Sequence, residues 1–301
     1  MNNLVSSKVK FSRNLKDAKF VTTASNIEKA QYLDLCLKAV NDCGLKGDKL
    51  DNISNIIDNL IKTDKIEQDF VTSLAGKGYA SNEDVVVQIN NQSHIEILSQ
   101  GIDLFTSYSN AKQIDKKLCN KLNFAYNDKY GFLGADLQSL GSGLNIECKV
   151  MLPALNQINA IKMLPKANDK LLFEIKCLDE DSGLYLISTK GNLGYSEKQI
   201  CELTYSYIDK VIKYEIQTCQ KLADEDIDEI MDCCSRAKAV LKNCIKIESR
   251  EVYMLVANIM IAINAGVETE INFDKLNQII NMAKLFDNQK ELAKNIQKII
   301  K

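Results

Sequence analysis

A chain of 301 residues can bury a sizeable core, as one large domain or as two smaller ones. Its 38 basic and 40 acidic residues give a formal charge of -2, which leaves no basic excess to neutralise a phosphate backbone and argues against nucleic-acid binding. A hydrophobic share of 46% and a charged share of 26% are ordinary for a globular protein, and neither a long apolar run nor a charged-then-apolar opening after Met1 announces a membrane span or a secretory signal.

In chain order, residues 4–11 alternate in polarity and predict an extended segment. Ser25, three before Glu28, forms a capping box that predicts a helix running to about Cys43. Leu50, Ile53, Ile56, Ile57, Leu60 and Ile61 recur at helical spacing and predict a second amphipathic helix. Val85–Ile89 and His94–Leu98 read as strands joined by a polar turn at Asn90-Asn91-Gln92. A helix is expected from about Gly101 to Leu122, then strands at Glu147–Leu152, Leu171–Cys177 and Leu184–Ser188. From Ser196 onward helical periodicity dominates, with helices expected near 196–221, 224–243, 249–264, 272–285 and 288–300 and Gly266 placed as a helix C-cap. Clustered strands without regular β-α alternation predict an α+β design, a mostly antiparallel sheet with helices on one face.

Ten cysteines are scattered from Cys36 to Cys244 without the density of a stapled scaffold, so reduced and mostly buried thiols in a cytoplasmic protein are expected. With one histidine, His94, and no C-x-x-C pair, no metal site is expected. Taken singly, the remaining motifs read blandly. Gly141-Ser142-Gly143 is a turn, since no G-x-x-x-x-G-K-(S/T) loop surrounds it. His94 among isoleucines is a hydrogen-bonded structural residue, and Asp179-Glu180-Asp181 is a solvated loop.

In order, however, these segments resemble guanidino phosphotransferases. Ser6-Ser7-Lys8-Val9-Lys10-Phe11-Ser12-Arg13-Asn14-Leu15 is similar to their S-S-R-(I/V)-R-L-A-R-N opening. Asn90-Asn91-Gln92-Ser93-His94-Ile95-Glu96-Ile97 is similar to N-E-E-D-H-(I/L)-R-I. Gly131-Phe132-Leu133 and Leu140-Gly141-Ser142-Gly143-Leu144 track the stretch into C-P-T-N-(L/V)-G-T-G-(L/M)-R, and Met151-Leu152-Pro153-Ala154-Leu155 matches H-L-P-A-L. Leu193-Gly194 and Ser196-Glu197 follow I-S-N-Q-x-T-L-G-x-S-E. The C-terminal words, from Ser235-Arg236-Ala237 to Asn264-Ala265-Gly266, look like the bacterial protein-arginine kinases rather than the creatine or arginine kinases of metabolism.

The resemblance implies a saddle-shaped antiparallel sheet flanked by helices, in the manner of the guanidino-kinase (glutamine-synthetase-like) fold, followed by a helical bundle. It places the catalytic-fold domain at 1–222 and the helical domain at 223–301. It also implies an ATP site gripped by arginines, whose planar fork fits phosphate. Here those positions carry Lys8, Lys10, Glu96 and Asn145, and the loop arginine has no counterpart near Leu171-Leu172-Phe173. The acidic pair that would orient and deprotonate a guanidinium falls on Asn91 and Gln92, and the reactive cysteine on Asp136. Neutral amides cannot take a proton at neutral pH. Arg13 survives, with a structural ion pair as its expected job, and Gln289–Lys294 does not preserve the phosphoarginine-reading R-D-x-x-R-A motif.

The resulting expectation is a catalytically inactive pseudokinase, without bound cofactor, that regulates or scaffolds protein quality control through a protein partner. That partner would be an active kinase paralogue, a protease or chaperone component, or a second copy as a homodimer. The alternative is an active ATP:guanido phosphotransferase, using ATP and Mg, with a site rebuilt around Lys8, Lys10, Asp136 and Asp179 or Glu180.

Overall fold

The computed structural model describes residues 2–135, 140–169, 171–191, 193–268 and 270–300. The chain opens with β1 (Leu4–Arg13), followed by α1 (Asn26–Asp42), whose predicted capping box is present: Ser25 Oγ accepts from the Glu28 amide and the Glu28 carboxylate accepts from the Ser25 amide. Next come β2 (Lys46–Lys49), a 3₁₀ turn over Leu50–Ile56, and α2 (Ile57–Lys62). The single helix expected across 50–61 is therefore split. Ile53 leaves helical dihedrals (φ -110°, ψ 19°) within a stretch rich in Asp, Asn and Ser, residues whose side chains compete for the backbone.

The strands β3 (Gly78–Ser81), β4 (Val85–Ile89) and β5 (Ile95–Gly101) form a meander. The helix α3 (Leu104–Cys119) starts later than Gly101 because Asp103 caps it, accepting from the Thr106 amide at 2.8 Å. A small hairpin of β6 (Tyr126–Asn127) and β7 (Gly131–Phe132) precedes β8 (Leu144–Met151). The short α4 (Pro153–Gln157), β9 (Ala167–Asn168), β10 (Leu171–Asp179) and β11 (Leu184–Lys190) lead into five helices. These are α5 (Glu197–Glu225), α6 (Ile227–Asn243), α7 (Ser249–Asn264), α8 (Phe273–Leu285) and α9 (Gln289–Ile300). Gly266, at φ +82°, ends α7 as predicted, donating its amide to the Ile263 carbonyl.

Among the described residues nine strands form one antiparallel sheet in the order β2-β3-β4-β5-β1-β8-β11-β10-β9. β1 lies in the middle, paired with β5 (Val9 to Ser99, Phe11 to Ile97) and with β8 (Val9 to Ile146, Phe11 to Leu144). Its period-two pattern sends Val9 and Phe11 into the main core with Ile114 and Leu118 of α3 and Ile208 and Val211 of α5. Lys8, Lys10 and Ser12 go to the opposite, partly exposed face. That face is not bare. Leu50, Ile57, Leu60, Ile66 and Phe70 pack on Tyr79, Val86 and Leu98, so the segment between β2 and β3 roofs the β3-β4-β5 half of the sheet.

The C-terminal helices build a second apolar core around α7 that also takes in Val5, Met151 and Leu184 from the sheet. A polar seam fixes their placement: Asn3 Nδ2 donates to the Met151 carbonyl at 2.8 Å, and Asn264 Nδ2 donates to Asn3 Oδ1 at 3.0 Å.

At the other end of β1, Arg13 is fully buried. Its Nε and Nη2 donate to the two carboxylate oxygens of Asp115 at 2.8 and 3.0 Å, Nη2 also reaches Glu197 Oε1 at 3.1 Å, and Nη1 donates to the Ser142 carbonyl at 2.9 Å. The guanidinium lies 3.6 Å from the centre of the Phe132 ring. This is the structural ion pair expected for Arg13, and it ties α3 and α5 to the central strand. Asp115→Ala leaves a buried cation without its bidentate partner and should cost about 3–5 kcal/mol in urea unfolding. A loss under about 1 kcal/mol would show that the pair is not what holds this junction.

Candidate functional site on the polar face of the sheet

Four of the residues singled out in the sequence, Lys8, Lys10, Glu96 and Asn145, fall on one sheet face because partners across an antiparallel ladder share a side. Lys10 is opposite Leu98 on β5 and Asn145 on β8, Lys8 is opposite Gln100 and Glu147, and Ser12 is opposite Glu96. Glu96 in turn faces Gln88 on β4, and Ser188 faces Glu147. The structure thus brings Lys8, Lys10, Glu96 and Asn145 onto one surface. Leu172, 53% exposed, shares it through the pairing of Glu174 with Ser188.

Glu96 is 1% exposed. Its Oε2 accepts from Asn91 Nδ2 at 2.9 Å and its Oε1 from the Ser93 amide at 3.3 Å, while Asn91 also donates to Gln88 Oε1 at 3.2 Å. Asn91 is therefore engaged with the strand it follows, whereas Gln92 next to it is exposed. Asn145 Nδ2 donates to the Thr189 carbonyl at 3.3 Å, so its amide bridges to the neighbouring strand. Asp136, with Leu137-Gln138-Ser139, lies outside the described residues.

Two carboxylates that sequence patterning did not single out come from the roof. Glu67 Oε1 meets Lys8 Nζ at 3.0 Å. Asp64 Oδ2 meets Lys149 Nζ at 2.6 Å and Lys284 Nζ at 2.8 Å. Burial pushes the Glu67 carboxyl up, but Lys8 and Lys10 pull it further down, to below its ordinary range. Burial likewise opposes Lys149 and Lys284 at Asp64, and the lysines again win. Lys149 was legible as the third polar residue of Asn145-x-Glu147-x-Lys149 on β8. Asp64 and Glu67 sit in irregular chain that carries no periodic signal.

The chain contains three arginines, and none is placed on this face. Arg13 is buried against Asp115, Arg236 pairs with Asp232 on the surface of α6, and Arg250 Nε donates to Asp181 Oδ2 at 2.7 Å. The acidic run is therefore partly structural: Asp179 accepts from the Ser182 amide to close the β10–β11 turn, and Asp181 holds Arg250. Asp179 is opposite Leu184, which is opposite Met151, so it lies at the end of the sheet away from Asn91 and Glu96.

The Gly141-Ser142-Gly143 turn aims the Ser142 carbonyl at Arg13. Gly143, at φ +62°, has no room for a side chain, since a Cβ would come within 2.6 Å of both Arg13 Nη1 and the Ser12 carbonyl. The isolated turn reading of this motif fits that geometry.

His94 is fully buried, with Nδ1 2.9 Å from Asn14 Oδ1 and its ring edge-on to Tyr32 at 4.7 Å. It joins the β4–β5 hairpin to the residue after Arg13, which is a structural task.

Residues 46–218 match the family described as ATP:guanido phosphotransferase, C-terminal catalytic domain, and the chain belongs to that family. Among curated relatives it is 26% identical over 292 residues to the protein-arginine kinase of Halothermothrix orenii, covering 92% of this chain and 83% of that one. It is 26% identical over 298 residues to the protein-arginine kinase of Bacillus subtilis, covering 92% and 80%. Among solved structures the fold is similar to lombricine kinase, with a TM-score of 0.58 at 19% identity over 76% of this chain and 70% of that one. It is also similar to the substrate-free duplicated taurocyamine kinase of Schistosoma mansoni, with a TM-score of 0.62 at 18% identity, covering 83% of this chain and 39% of that longer one. The guanidino-kinase fold expected from the sequence words is the one observed.

Burial depresses the His94 pKa from its ordinary 6.5 to about 4. The folded state therefore refuses a proton that the unfolded chain accepts, and this residue subtracts stability as pH falls from 6.5 towards 4. At about 1.4 kcal/mol per pH unit, wild type should lose about 2 kcal/mol more than His94→Asn between pH 7 and pH 5 in urea unfolding. Parallel pH profiles would mean that His94 is not held neutral.

Proposed function

We propose that this protein is a kinase-shaped member of its family without phosphoryl-transfer activity, and that it acts by binding another protein. The observation that carries the reading is the charge inventory of the polar face. Phosphoryl transfer asks for several cations around the triphosphate, because charge spreads over the equatorial oxygens and catalysis is largely positioning and electrostatic stabilisation. Here no arginine stands on the face, Glu96 is fixed within it, and Lys8 and Lys149 are each held by a carboxylate. These residues do not fit a nucleoside triphosphate.

The acceptor side supports the same reading. Asn91 is an amide tied to Glu96, and Gln92 is exposed, so neither offers a base to a guanidinium. Losing one phosphate-gripping donor commonly costs about 3–4 kcal/mol of transition-state stabilisation, and several losses with one reversal of sign exceed what a working enzyme absorbs. The preserved scaffold beside this face then points to recognition of a protein: an active protein-arginine kinase, a protease or chaperone component of protein quality control, or a second copy of the chain. A cytoplasmic setting accords with ten free thiols, six of them buried.

Incubation with radiolabelled MgATP and an arginine-rich protein should leave no acid-labile label above a no-protein control, whereas an active relative labels the same substrate. Label that appears, and that disappears in Asp136→Ala, would establish the rebuilt enzyme instead.

A further inference from the structure

The roof over the polar face sets carboxylates on lysines of the sheet. Two of its carboxylates, Asp64 and Glu67, are three residues apart and reach lysines on separate elements: Lys8 on β1, Lys149 on β8 and Lys284 on α8. Lys8 is opposite Glu147, and Lys149 is the next residue on the same side of that strand. The two ammonium groups are therefore diagonal neighbours, with backbones about 7–8 Å apart. Lys10 extends the row by one position and adds to the field that holds Glu67 ionised. Asp64 has a left-handed backbone (φ +56°), so the chain turns sharply at the residue that bridges two lysines. Beside it opens a cavity of about 320 Å³ lined by Ser6, Lys62, Asp64, Lys65, Gln100 and Lys284. Lys62 is paired outside with Asp287 of the loop before α9.

We propose that Asp64 and Glu67 are built-in anions, occupying on Lys149, Lys284 and Lys8 the places that a phosphate chain would otherwise take. On this account the face is closed by its own carboxylates and not by the loss of arginine alone. Beneath the roof remains a row of lysines able to hold a polyphosphate, with Glu147 set among them on β8 and Glu96 diagonal to Lys10 on β5. The inference rests on the reading of this face as closed to nucleotide and names what closes it. It also gives the C-terminal helices a part, since α8 supplies one of the lysines and the Lys284–Asp64 and Lys62–Asp287 pairs fasten the roof to them.

The test is titration calorimetry with inorganic tripolyphosphate at low salt, on wild type, on Glu67→Gln and on Asp64→Asn/Glu67→Gln, each checked for fold by circular dichroism. Wild type should give no saturable heat, and the double variant should bind at least ten-fold more tightly than wild type. That gain should be lost when Lys8→Met and Lys149→Met are added. If the double variant does not fold, Glu67→Gln alone is read, with a smaller gain that Lys8→Met removes. A folded variant that binds no better than wild type overturns the masking and leaves the inactive-kinase reading untouched. Saturable binding by wild type contradicts the closed face itself. MgATP should bind the double variant no more tightly than tripolyphosphate; a nucleoside preference would overturn the assignment to the phosphate chain.

Discussion

The pleat of β1 is the constraint from which the rest of the structure follows. In the middle of the sheet, Val9 and Phe11 must enter the core, so Lys8 and Lys10 must stand together on the other face. A register slip of one residue would bury two ammonium groups and expose two large apolar side chains. Arg13, on the core side of the same strand, is tolerated there only because Asp115 and Glu197 meet it with ionised oxygens. One ten-residue strand thus sets the core, the ion-pair junction with α3 and α5, and the charge of the candidate site.

That charge is carried by lysines. An arginine fork satisfies a phosphate in two directions at once, whereas a lysine is a compact point charge that any nearby carboxylate can take up. Glu67 and Asp64 do so here from a segment held down by its own small core of Leu50, Leu60 and Phe70 on Tyr79, Val86 and Leu98. The Glu96 carboxylate is stabilised locally, with Asn91 and the Ser93 amide supplying donors to a group that would otherwise be costly to bury. Asn91 and Glu96, which stand at acceptor-side and nucleotide-side positions by family resemblance, are bonded to each other. Each supplies the hydrogen-bond partner that the other needs.

Much of this was legible in the sequence, for identifiable reasons. The helix with a capping box at Ser25, the helical periodicity after Ser196 and the alternation along β1 announce themselves through period and punctuation. The ordered family words group Lys8, Lys10, Glu96 and Asn145, and the sheet register puts all four on one face. The roof was not legible. Its apolar residues recur at helical spacing, yet Ile53 breaks the helix, and the edge strand β2 and its neighbour β3 are too short to show alternation. Asp64 and Glu67 matter only through lysines at positions 8, 149 and 284, a relation that long-range packing alone creates.

The central question is whether a nucleotide finds enough positive charge on this face. Isothermal titration of the purified wild-type chain with MgATP asks that directly. Heats indistinguishable from dilution up to millimolar nucleotide are the expected result. Saturable binding in the micromolar range would contradict it, because cations not placed on this face would then be holding the triphosphate.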